Sequence, residues 1–142
     1  MEYKILEHKA DIKIKVFGKT LEELYKNAVF AMASILKKSK IKNQKSKLKK
    51  IIITKSTDRE ILLVDFLNNI LGESQINQAI YPEARFVDFH PEGIQGVSYS
   101  KAEISGYKIN RFDEDIKAVT YHDLSITQSK DGVWEATILF DV

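Results

Sequence analysis

From Ile12 to Phe17 the chain reads Ile-Lys-Ile-Lys-Val-Phe, apolar at alternate positions, which is the period of a half-buried strand. Gly18 ends it. Thr20 and Glu23 then have the spacing of a capping box, in which hydroxyl and carboxylate each satisfy an orphan N–H at a helix start. Leu21, Leu24, Ala28, Ala31, Met32 and Ile35 follow at helical spacing and draw one apolar stripe, which fades into a lysine-rich segment. Leu48 to Thr54 contains three consecutive isoleucines, a β-branched run that favours a strand. Thr57 and Glu60 repeat the capping spacing. Leu63, Phe66, Leu67, Ile70 and Leu71 give a second helix its apolar face, with Gly72 expected near its weakening end. Beyond Pro82, strand-like segments are punctuated by Gly93, Gly96 and Gly106, and Asp131-Gly132 between two alternating segments is a hairpin signal. Strand, helix, strand, helix and then several strands on short turns predict an α+β class: two helices packed on largely antiparallel sheet. A doubly wound parallel sheet fits that order less well.

Composition narrows the classes. At 142 residues, with no internal repeat or linker, residues 1–142 are expected to form a single compact domain with a real core. Cysteine is absent, which excludes disulfides and thiolate metal sites. No apolar run approaches the roughly 20 residues that span a bilayer. The start, Met1-Glu2-Tyr3-Lys4, lacks the layout of a signal peptide, so a cytoplasmic location and no membrane partner are expected. The net charge of +2 is too small to argue for nucleic-acid binding, but residues 37–50 hold eight lysines and no acid. Such a run is either a solvated basic loop or a steering patch for RNA phosphates or an acidic partner. No aromatic residue interrupts it, which disfavours base stacking there.

Candidate chemistry is sparse. Strand parity puts Asp11 with Lys13 and Lys15, opposite the face of Ile12, Ile14 and Val16. In the last strand, Trp134, Ala136, Ile138 and Phe140 form the apolar face and Asp141 falls with Glu135 and Thr137. Neither aspartate is forced into the core. They are either ordinary solvated carboxylates or, if the first and last strands run close together, part of an oxygen-lined site for Mg²⁺, Mn²⁺ or Ca²⁺. Two carboxylates alone would hold such an ion weakly. His8, His90 and His122 have no zinc spacing, and His122 and Asp123, as strand neighbours, should face opposite ways and make a poor acid–base dyad. Glycine-rich phosphate loops and nucleophile-plus-base signatures are missing, so nothing reads as a self-sufficient catalyst.

Several segments in order resemble one family, the archeases. They are His8-Lys9-Ala10-Asp11-Ile12, the run Gly18 to Leu24 (Gly-Lys-Thr-Leu-Glu-Glu-Leu), Leu62 to Leu67 (Leu-Leu-Val-Asp-Phe-Leu), Lys117 to Asp123 (Lys-Ala-Val-Thr-Tyr-His-Asp), and the closing Phe140-Asp141-Val142. The resemblance implies an accessory protein, not an enzyme. Archeases assist the RtcB-type RNA ligase of tRNA splicing and RNA repair, promoting its GTP-dependent guanylylation and its multiple turnover. It also implies that Asp11 and Asp141 are metal-binding carboxylates for a divalent cation such as Ca²⁺, Mg²⁺ or Mn²⁺, and that Lys117 is a required basic residue contacting the partner. No organic cofactor is implied, and tRNA or other RNA is met indirectly, through the ligase.

Two positions depart from the family pattern. Lys9 stands where the motif usually has threonine, and Ser34 where some archeases place a third aspartate, leaving a neutral, weak extra ligand. Two other readings compete: a chaperone or modulator of an RNA-modifying enzyme such as a tRNA methyltransferase, and a stand-alone metal-dependent hydrolase, which the missing nucleophile disfavours.

Overall fold

In the computed structural model the described residues are 2–6, 11–38 and 48–142. Their order is β1 (Tyr3–Leu6), β2 (Asp11–Gly18), α1 (Leu21–Leu36), β3 (Leu48–Ser56), α2 (Arg59–Asn77), β4 (Ala79–Ile94), β5 (Val97–Lys108), β6 (Ala118–Gln128) and β7 (Trp134–Asp141). The strands form two antiparallel sheets, ordered β1-β2-β7-β6 and β3-β5-β4. The expected α+β class holds, with strands on two sheets. β1 is an element that the periodicity of so short a segment did not announce.

Each helix touches both sheets: α1 packs on β2 and β4, and α2 on β6, β3 and β4. The helices therefore fill the space between the sheets, which explains why their buried residues spread around the helix. Ala31, Met32 and Ala33 are consecutive and all buried, as are Leu62, Leu63 and Val64. An aromatic cluster of Tyr25, Phe66, Phe86 and Phe89 ties α1, α2 and β4 together, with ring centroids 4.5–6.2 Å apart. The Tyr25 hydroxyl donates to the Arg59 carbonyl at 2.5 Å, and burial pushes its ionisation well above the usual tyrosine range.

Thr20 caps α1 as its spacing predicts, its hydroxyl accepting from the Glu23 N–H at 3.0 Å, while the Glu23 carboxylate takes the Lys19 N–H at 3.1 Å. The second cap falls one residue later than predicted. Asp58, not Thr57, is the N-cap of α2, its carboxylate accepting from the Ile61 N–H at 2.8 Å. A carboxylate next to the threonine is the stronger acceptor and also suits the helix dipole. Gly72 lies inside α2, which runs on to Asn77, because packing on both sides outweighs one glycine. The Asp131-Gly132 turn joins β6 to β7 as expected, with Gly132 at φ +88°.

Polar side chains of α2 do a second job. The Asn68 amide donates to the Val119 carbonyl at 2.9 Å, and its oxygen accepts from the Val119 N–H at 2.8 Å. That two-way bond completes the outer edge of β6 as a neighbouring strand would. Gln75 donates to the Ile116 carbonyl at 3.0 Å. Asp65 accepts from Ser56 of β3 at 2.6 Å and from the hydroxyl of Tyr121 on β6, so one carboxylate links both sheets.

Candidate cation site at the strand ends

β2 and β7 pair antiparallel in unbroken register from Gly18↔Trp134 to Asp11↔Asp141. Asp11 and Asp141 are thus directly opposite, the arrangement in which neighbouring Cβ atoms stand roughly 5 Å apart. On the far side of β7, Ala118 of β6 is opposite Asp141. The N–H of the preceding residue, Lys117, donates to the Asp141 carbonyl at 2.7 Å. Sheet register therefore gathers Asp11, Asp141 and Lys117 from three separate parts of the chain. Asp141 and Lys117 are exposed and Asp11 is half-buried, so parity keeps both carboxylates off the core, where Ile14, Ala136, Ile138 and Phe140 are buried.

Two carboxylates side by side repel unless positive charge lies close to them. Oxygen donors of this kind suit a hard divalent cation, but such ions take six to eight ligands, and two carboxylates supply only part of that shell. Among the described residues no cluster of three or more His, Asp or Glu side chains completes it. The donor set fits a hard divalent cation only in part, and water or a partner's oxygens would have to supply the rest of its shell.

Ser34 lies on α1, the helix that packs on β2, and its hydroxyl donates back to the Phe30 carbonyl at 2.9 Å. Its proton is committed within its own helix. His8 and Lys9 of the N-terminal motif lie outside the described residues, as do residues 39–47 of the lysine-rich segment.

The strand-parity expectation for His122 and Asp123 is corrected. Pairing of β6 with β7 breaks between Thr120 and Ser125, and Asp123 sits in the left-handed region at φ +56°. Alternation fails across such a bulge, and the His122 ring nitrogen comes to 3.6 Å from the Asp123 carboxylate. Asp123 also lies 3.7 Å from Lys13 of β2, an ion pair that spans β7 above the register position of Leu139. Tyr121, at the start of the bulge, is held by Asp65, and that hydrogen bond raises its ionisation above the usual tyrosine range. Asp65 and Asn68 were readable only as polar interruptions in an apolar helix. Their spacing of three, on one helix face, was the available signal.

Two antiparallel sheets around two helices, with facing carboxylates where the first and last long strands meet, define a small α+β protein. Its family follows from comparison. Residues 3–142 match the Archease protein family (MTH1598/TM1083), and the chain belongs to that family. It is 35% identical over 144 residues to protein archease of Methanosarcina barkeri, covering 99% of this chain and 96% of that one. It is 34% identical to protein archease of Thermoplasma volcanium, with both chains fully covered. In fold it is similar to the solution structure of Methanobacterium thermoautotrophicum protein 1598, with TM-score 0.78, 22% identity and 99% of each chain covered. A Thermotoga maritima archease described as a possible chaperone aligns with TM-score 0.63 and 21% identity, over 98% of this chain and 96% of that one. Among the described residues no helix is long and apolar enough to cross a membrane.

Proposed function

We propose that this chain is an accessory protein of an RtcB-type RNA ligase, acting in the cytoplasm to promote GTP-dependent guanylylation of the ligase and its return to further turnovers. The observation that carries the reading is the direct opposition of Asp11 and Asp141, with Lys117 bonded to the same strand end. An enzyme would be expected to enclose its reactive groups. Here the acidic groups stand at the ends of two interior strands, one exposed and one half-buried, where a second protein can reach them.

In this reading Asp11 and Asp141 hold a divalent cation between them, and the ligase or water supplies the remaining oxygens. The ion, when bound, supplies positive charge for nucleotide phosphates. The chain's own residues fix where that charge is presented. β2 and β7 hold the carboxylates in register, the Lys117 N–H to Asp141 carbonyl bond ties β6 to them, and Asn68 and Asp65 tie β6 to α2. Exposed Lys117 contacts a phosphate or the acidic surface of the partner. RNA is engaged only through the ligase.

A second reading, a chaperone or modulator of an RNA-modifying enzyme, is favoured by the description of the Thermotoga maritima relative as a possible chaperone. One pair of assays separates them. The ligase of the same organism is incubated with GTP, and this chain is added far below stoichiometry. An activator raises guanylylation well beyond its own molar amount. A chaperone instead suppresses aggregation of its client only near equimolar ratio and leaves guanylylation of folded ligase unchanged.

A further inference from the structure

Among the described residues the two sheets have four outer edges, and three of them offer only a short or interrupted run for further strand pairing. The described part of β1 is four residues long. β6 is bulged after Thr120 and its backbone at Val119 is satisfied by Asn68. β4 breaks register three times and contains Pro82, which has no N–H to donate. β3 is the exception. Its nine residues pair with β5 without interruption from Leu48↔Gly106 to Ser56↔Ser98, and among the described residues no strand pairs with its other side.

The side chains of β3 are sorted by face. Ile52 and Thr54 are buried toward α2, where Asn69 donates to the Thr54 hydroxyl at 3.1 Å. The outward face reads Lys49, Ile51, Ile53, Lys55, with Ile51 51% and Ile53 54% exposed. A long, unbroken edge strand showing isoleucine is what soluble proteins usually avoid. The flanking lysines decide what such an edge accepts. In an antiparallel pairing with a second copy centred on Ile52, Lys49 would stand opposite Lys55 at both ends, and like charges directly opposite are destabilising. Self-pairing in that register is therefore disfavoured, while a strand with acids at those two positions gains at both.

We propose that β3 is a docking edge for an extended segment of a partner protein, of the pattern acid–x–apolar–x–apolar–x–acid, added antiparallel to the sheet. Main-chain hydrogen bonds supply the pairing, Ile51 and Ile53 the apolar contact, and Lys49 and Lys55 the register. RNA is the less suitable occupant, because the lysines flank two aliphatic residues with no aromatic side chain between them on that face. The edge lies on the other sheet from the aspartate pair, so this docking stands independently of the cation reading.

The test uses the synthetic peptide Glu-Thr-Val-Thr-Val-Thr-Glu and the same peptide with both glutamates replaced by lysine. Binding is followed by NMR, with hydrogen exchange read at the amides of residues 48–56. The acidic peptide should slow exchange in β3. Its affinity should fall about tenfold with the double variant Lys49→Glu/Lys55→Glu, and the lysine peptide should then become the better ligand. Ile51→Thr/Ile53→Thr should weaken both peptides. The proposal is overturned if the acidic peptide leaves β3 exchange unchanged, or if both peptides bind the wild type equally. It is also overturned if the same amides are protected by concentration-dependent self-association or by single-stranded RNA.

Discussion

Asn68 is the side chain whose loss should be felt most clearly beyond its own position. Asn68→Ala removes both hydrogen bonds to the Val119 backbone, at 2.9 and 2.8 Å, and Val119 is only 2% exposed. Leaving a buried N–H and a buried carbonyl without partners costs about 1–3 kcal/mol each, partly recovered where water enters. Alanine returns about 0.5 kcal/mol of helix propensity. The net loss expected is about 2–4 kcal/mol, a large share of the roughly 5–15 kcal/mol that holds a domain together. At roughly 3–4 °C per kcal/mol for a chain of this size, Tm should fall by roughly 10 °C. Urea unfolding followed by circular dichroism measures the loss, with the slope of the transition unchanged. Asn69→Ala is the control, since it removes one bond, to the buried Thr54 hydroxyl at 3.1 Å, and should cost about half as much, roughly 1–2 kcal/mol. Because Val119 is two residues from Lys117, hydrogen exchange at the Lys117 amide, bonded to the Asp141 carbonyl, should also quicken in Asn68→Ala. A loss below about 0.5 kcal/mol, or one no larger than that of the control, would refute the role given to this side chain.

Two glycines should respond in opposite directions to alanine. At Gly106 a Cβ would lie 1.8 Å from the Ile80 carbonyl oxygen, backbone that cannot easily retreat, so Gly106→Ala should lose about 3 kcal/mol or more in urea. At Gly72 nothing lies within 4 Å, and Gly72→Ala should gain about 0.5–1 kcal/mol inside α2. Asp113 closes the end of α1: its carboxylate accepts from the Lys38 N–H at 2.7 Å and from Lys37 at 3.4 Å, and its N–H donates to the Leu36 carbonyl at 2.8 Å. The Lys38 bond, with Lys37 beside it, holds the Asp113 carboxyl below its ordinary value of 3.8. Its contribution is thus present above that value and lost as pH falls through the lowered one, so the stability gap between wild type and Asp113→Asn should be constant near neutrality and narrow in acid. Thermal melts across pH 2–7 would show it, and a gap that widens in acid would contradict the assignment.

Most of the fold was legible because its signals are local. The alternation of residues 12–17 gave β2, the Thr20–Glu23 spacing gave the start of α1, and Asp131-Gly132 gave the β6–β7 turn. What periodicity could not supply was partnership between distant segments. Nothing local in Asp65, Asn68 and Gln75 announces their partners in β3, in β6 and in the segment before β6. The same limit applied to the candidate site. Parity placed Asp11 and Asp141 off the core, but only the β2–β7 register put them opposite each other. Parity misled at His122 and Asp123, where one left-handed residue breaks the alternation.

Whether the facing carboxylates serve ligase activation is decided by GTP-dependent guanylylation of the same organism's RNA ligase. This chain is added below stoichiometry at fixed Mn²⁺ or Mg²⁺, as wild type, Asp11→Asn or Asp141→Asn, each asparagine variant first shown to be folded. Asparagine keeps the shape and one oxygen but removes the charge that a hard cation requires. Stimulation by the wild type, lost in both variants and restored in part by raised metal concentration, is the predicted result. Equal stimulation by all three would contradict it and leave the strand-end aspartates as surface carboxylates.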